Sequence, residues 1–135
     1  MCLTKVGGKR KATKDIVCYK VLIETYNGNG EKLCCSPYNK FYWEIGKEYK
    51  NEEIANNYGS KEEIFSGYFH TFEKINECET KARKLIRSCH QNEALVMYEC
   101  VIPKGTYYYY GYHQDGFWGY ASKKLKITRR LGQYG

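Results

Sequence analysis

Residues 16–24, Ile16-Val17-Cys18-Tyr19-Lys20-Val21-Leu22-Ile23-Glu24, form a β-branched and aromatic run with Val17, Tyr19, Val21 and Ile23 on one face. That composition and period predict a strand. Asn27-Gly28-Asn29-Gly30 ends it with a strong turn signal. Residues 34–38 read as irregular around Pro37. Phe41-Tyr42-Trp43-Glu44-Ile45-Gly46 reads as a short strand before a polar connection through Asn56-Asn57-Tyr58-Gly59. The period then changes. Phe72, Ile75, Cys78, Ala82, Leu85, Ile86 and Cys89 recur at steps of three and four, which predicts an amphipathic helix over residues 71–90. Thr71 is placed to cap its start, and Arg83, Lys84 and Arg87 suit the dipole at its end. Glu73, Glu77 and Glu79, mixed with Lys74 and Lys81, read as the solvated face of that helix.

Strands follow. Residues 95–102 are long and mostly apolar, as expected of a central strand. Pro103-Lys104-Gly105 turns the chain into the aromatic strand 106–112. Gln114-Asp115-Gly116 turns it again into Phe117-Trp118-Gly119-Tyr120, and residues 125–128 alternate as a half-buried edge strand. This order predicts an α+β fold, one amphipathic helix packed on a mostly antiparallel sheet. Residues 1–14, charged and aperiodic, read as a flexible basic arm, 15–131 as a single domain and 132–135 as a tail. A chain of 135 residues buries roughly two thirds of its unfolded surface and needs no staple to fold.

Composition adds three constraints. Apolar runs such as Ala94-Leu95-Val96-Met97 are too short to span a bilayer. Behind Met1-Cys2-Leu3-Thr4-Lys5 there is no signal-peptide core, so a cytoplasmic location and no membrane partner are expected. The seven cysteines, Cys2, Cys18, Cys34, Cys35, Cys78, Cys89 and Cys100, are odd in number and contain no Cys-x-x-Cys pair. Cys18, Cys78, Cys89 and Cys100 fall on apolar faces as structural thiols, and no metal or other cofactor is called for.

The formal charge of +7 is unevenly distributed. Lys5, Lys9, Arg10, Lys11 and Lys14 load one end, Lys123, Lys124, Lys126, Arg129 and Arg130 the other, and the acids crowd the middle. Such asymmetry points to an anionic partner, nucleic acid first. In the run Tyr107-Tyr108-Tyr109-Tyr110, alternate tyrosines face opposite sides of a strand. One pair fills a core while Tyr108 and Tyr110, near Lys104, Lys123 and Lys124, are free to stack bases. His70, after Gly67-Tyr68-Phe69 at the start of the expected helix, is a candidate for the mouth of a ligand cleft. His113 sits in a turn with Asp115. No catalytic motif is present: no Gly-x-Ser-x-Gly, Walker loop, His-Glu-x-x-His or Gly-x-Gly-x-x-Gly.

Four stretches carry a resemblance. Tyr42-Trp43-Glu44-Ile45-Gly46-Lys47-Glu48-Tyr49 is similar to the Gly-Lys-x-Tyr opening of a small domain of unknown function found in phages and bacteria. Gly67-Tyr68-Phe69-His70 resembles its Gly-Phe-His signature, with Tyr68 as an extra residue. Tyr98-Glu99-Cys100-Val101-Ile102-Pro103-Lys104-Gly105 and Tyr120-Ala121-Ser122-Lys123-Lys124-Leu125-Lys126-Ile127 resemble its closing strands. The resemblance covers residues 16–128 and implies a phage or mobile-element setting without an activity to inherit. The layout also faintly resembles ADP-ribosyltransferase-like folds, but the stretch 120–127, where their catalytic glutamate would stand, has lysines and no acid.

The sequence thus leads to a non-enzymatic, phage-derived accessory protein that binds nucleic acid or a host nucleoprotein such as a defence complex. Lys9, Arg10, Lys104, Lys123, Lys124, Arg129 and Arg130 would contact phosphates, and Tyr108 and Tyr110 would stack. The alternatives are a nucleotide-binding or ADP-ribosyltransferase-like domain using His70, and a virion component. The oligomeric state is left open.

Overall fold

The computed structural model describes residues 3–36, 41–51, 63–64, 67–86 and 93–134. In chain order these form strands β1 (Leu3–Lys5), β2 (Arg10–Lys11), β3 (Ile16–Tyr26), β4 (Lys32–Cys35), β5 (Tyr42–Trp43), β6 (Glu48–Lys50), β7 (Glu63–Ile64) and β8 (Phe69–Phe72), then helix α1 (Ile75–Leu85). Strands β9 (Ala94–Ile102), β10 (Tyr107–His113), β11 (Trp118–Ser122) and β12 (Lys124–Tyr134) complete the chain.

The expected α+β class is overturned. Strands take 57% of the described residues and helix 11%, so the molecule is a large antiparallel sheet with one short helix as a minor element. The sheet runs β6-β12-β9-β3-β8-β11-β10-β1-β7, with β2 on β10, and with β4 joining β3 to β5. Its centre is the β3–β9 pair, in register from Ile16 opposite Ile102 to Glu24 opposite Ala94. Both faces of this pair are covered, which explains why residues 16–26 and 94–102 carry apolar side chains on both sides. Cys18, Leu22, Val96, Tyr98, Cys100 and Ile102 pack with Leu125, Ile127, Trp43 and Phe69. On the other face Val21, Leu95 and Met97 pack with Phe72 and with Cys78 and Ala82 of the helix. Cys18, Cys78 and Cys100 are fully buried, free thiols.

The helix is shorter than its periodicity predicts, and it starts later. Thr71 does not cap it: residues 69–72 are strand β8, buried throughout. This strand pairs with β11 through Phe72–Gly119 to Phe69–Ser122 and meets β3 at Tyr19. The aromatic and β-branched side chains of Phe69, Thr71 and Phe72 suit a strand with two neighbours better than a helical first turn. The helix begins after Lys74, whose extended backbone carries no side-chain cap. Ile75, assigned to the apolar stripe, is 45% exposed. Cys89 and His90 lie outside the described residues.

The basic arm is also corrected in part. Leu3–Lys5 pairs with Gly111–His113 on one side and β7 on the other, and Arg10–Lys11 pairs with Tyr107–Tyr108. Leu3 is fully buried with Tyr68 and Ala121. Its apolar side chain, the only large one before Val6 among the described residues, anchors a segment whose charges alone suggest disorder. Residues 132–134, expected as a tail, continue β12 opposite Leu95–Met97. Among the described residues no helix is long and apolar enough to cross a membrane.

Candidate nucleic-acid interface

The tyrosine strand β10 and its partner β11 build an aromatic surface on one side of the sheet. Their register sets Tyr110 opposite Tyr120 and Tyr112 opposite Trp118, so Tyr108, Tyr110, Tyr112, Trp118 and Tyr120 share one face. The rings form a ladder. Tyr108 meets Tyr120 edge-on with centroids 5.8 Å apart, and Tyr120 meets Tyr110 at 5.4 Å. Tyr110 stacks on Trp118 at 5.2 Å, which meets Tyr112 at 5.7 Å. Tyr112 is 40% and Trp118 36% exposed, and the three other tyrosines are half-buried.

Arg10, Thr13, Lys14, Asp15 and the start of β3 rise beside this ladder and enclose a groove of about 610 Å³ floored by Tyr108, Tyr110 and Tyr120. The Arg10 guanidinium lies over the Tyr110 ring at 5.4 Å, a cation–π contact. Glu73 also lines the groove. Its backbone N–H donates to the Trp118 carbonyl at 3.0 Å, and its carboxylate accepts from the Tyr120 hydroxyl at 3.5 Å. Burial and then the Glu73 carboxylate push the Tyr110 hydroxyl pKa up, and burial raises that of Tyr120, so both hydroxyls stay neutral at physiological pH.

The residues expected to bind anions are only partly gathered here. Arg10, Tyr108 and Tyr110 line the groove. Lys104 stands at its border, where its backbone N–H donates to Asp15 at 2.8 Å. Lys9 lies over Tyr107 at 5.4 Å, a side chain of the opposite face of β10. Lys123 donates to the Gly67 carbonyl at 2.6 Å and covers the Tyr68 ring. Lys124 is opposite Lys50 on the β12–β6 ladder. Arg129 pairs with Glu99 at 3.0 Å, and Arg130 forks onto Glu24 at 2.9 and 3.2 Å. Along the sheet β12 is separated from β11 by β9, β3 and β8, so Arg129 and Arg130, paired with Glu99 and Glu24, do not join the tyrosines in one patch.

No family model, curated protein or solved structure matches this chain. The resemblance to the phage and bacterial domain therefore rests on its short motifs, and several of those residues are structural. Trp43 and Tyr49 pack against Phe41 and, through Trp43, against Phe69. Gly46, in a left-handed conformation, donates to the Ile127 carbonyl at 2.7 Å.

His70 is not at a cleft mouth. It is buried in mid-strand on the face of Phe72, with its ring 6.1 Å from that of His113. Tyr120 pairs with Thr71, so successive residues of β8 place His70 on the side away from the groove. His113, read in a turn with Asp115, ends β10, is fully buried, and its Nε2–H donates to the Thr71 carbonyl at 2.8 Å. Burial depresses its pKa to about 4. Among the described residues no group of three His, Cys, Asp or Glu side chains is placed to hold a metal ion. Glu73 and Tyr120 complete the groove, and sequence reasoning missed Glu73 because it read as one acid among several on a solvated helix face.

Proposed function

We propose that this chain is a non-enzymatic binding protein and that its groove takes single-stranded nucleic acid. The observation that supports this reading best is the half-open ladder of Tyr108, Tyr120, Tyr110, Trp118 and Tyr112, with Arg10 and Lys14 on its rim. Flat rings spaced along two paired strands accept bases by stacking without reading each one, while the rim cations meet phosphates. A duplex keeps its bases stacked on one another and offers nothing to such a floor. The net charge of +7 supports the same class of partner. The phage-derived role, and an encounter with a host nucleoprotein, extend this reading and are supported by the motif resemblance alone.

Fluorescence anisotropy with labelled single-stranded and duplex oligonucleotides tests it. Single strands bind more tightly than duplex, and affinity falls between 50 and 200 mM salt. Tyr110→Ala weakens binding by roughly tenfold, the loss of one stacked base, with the thermal melt as a control for folding. Equal affinity for duplex, or a Tyr110→Ala protein that folds and binds like the parent, rejects the proposal.

A further inference from the structure

A carboxylate at the wall of a groove built for a polyanion is repelled by phosphate. It is tolerated only where it meets a donor. Glu73 is held in that position: its backbone is bonded to Trp118, and its carboxylate accepts from the hydroxyl of Tyr120 on the floor. Two carboxylate oxygens offer about four acceptor sites, so acceptor capacity remains after Tyr120 has donated. Asp15, the other acid of the groove, already receives the Lys104 backbone N–H.

Resting on the nucleic-acid reading above, we infer that Glu73 makes the groove selective for guanine. A base stacked on Tyr120 would lie in the same groove as Glu73, within reach of its carboxylate. Guanine alone carries two adjacent parallel donors on its Watson–Crick edge, N1–H and the N2 amino group, which match a carboxylate in bidentate fashion. Adenine and cytosine each set one amino group beside an unprotonated ring nitrogen that repels the carboxylate. Uracil and thymine flank one N–H with two carbonyls. Arg10 and Lys14 then carry the adjoining phosphates, which keeps the acid and the cations on separate parts of the nucleotide. No bond is made or broken.

The test uses eight-nucleotide thymidine or uridine strands with one central position replaced by guanine, hypoxanthine, adenine or cytosine. Their affinity for the full chain is read by Trp fluorescence and anisotropy. The central guanine is expected to raise affinity about tenfold or more over adenine and cytosine. Hypoxanthine, which keeps N1–H and loses the amino group, falls between. Glu73→Gln abolishes the preference for the central guanine. A preference in either the deoxy or the ribo series supports the inference and identifies which backbone is used. Equal binding of all central bases by the unaltered protein overturns it while leaving the nucleic-acid reading intact. Failure of every strand to bind at 50 mM salt overturns both. If Glu73→Gln melts early, the hypoxanthine comparison on the unaltered protein decides alone.

Discussion

Glu24 shows how one buried acid is stabilised at the cost of pH sensitivity. It is nearly inaccessible, and burial by itself would raise its pKa. The Arg130 fork, the Tyr98 hydroxyl and Lys32 at 3.1 Å outweigh that and hold it down to about 2. A carboxyl whose folded pKa is depressed contributes stability above its unfolded pKa of 4.5 and loses it as pH falls toward 2. The loss is of the order of 2–3 kcal/mol. His113 adds an earlier window: with its folded pKa depressed from 6.5 to about 4, acid favours the unfolded, protonated imidazole across that range. Urea denaturation from pH 7 to 2.5 is therefore expected to show declining stability from about pH 6.5, with a steeper fall below 4.5. Glu24→Gln removes the lower phase. A variant that retains that phase excludes Glu24 as its source.

At the scale of the element, the short strands decide most of the differences between pattern and fold. β8 was legible as a regular segment but not as a strand, because Phe72 stands three residues before Ile75 and continues the helical spacing. What selected the strand was the presence of β11 and β3 on either side, which no local pattern announces. β1 was hidden in the same way, by the charges around Leu3. Its close fit depends on Gly111, where a Cβ would run into the Thr4 and Lys5 backbone. Leu3→Ala is expected to destabilise the protein by about 2–4 kcal/mol, as for a buried core leucine. A flexible arm would lose under about 0.5 kcal/mol. Chemical denaturation separates the two. Deleting the side chain also loosens β2 and with it Arg10, so nucleic-acid affinity is expected to fall with stability.

Across the whole molecule, the distribution of charge in space differs from its distribution in sequence. Arg129 and Arg130 are neutralised by Glu99 and Glu24 at the β12 end, whereas Arg10 and Lys14 face the groove. Replacing Arg10 and Lys14 together with Gln is expected to lower affinity and to reduce the slope of log affinity against log salt by about 1.4, two single-strand phosphate contacts. Arg129→Gln is expected to leave both unchanged. Equal effects from the two ends, measured by anisotropy at three salt concentrations, would contradict the placement of the interface on β10 and β11.

The sequence by itself determined the long strands β3, β9 and β10, the turn after Tyr26, the existence of a helix and the alternation that splits the tyrosines between two faces. Each of these depends on periodicity within one segment, and such periodicity survives wherever the segment packs. Only the tertiary structure decided the balance between helix and sheet, since the short strands exist through their partners. It also brought Arg10, Tyr110, Tyr120 and Glu73 to one groove and sent Arg130 to a buried acid and His70 to the opposite face. Those placements follow from strand order and register, which are set by long-range pairing and leave no mark on the residues concerned.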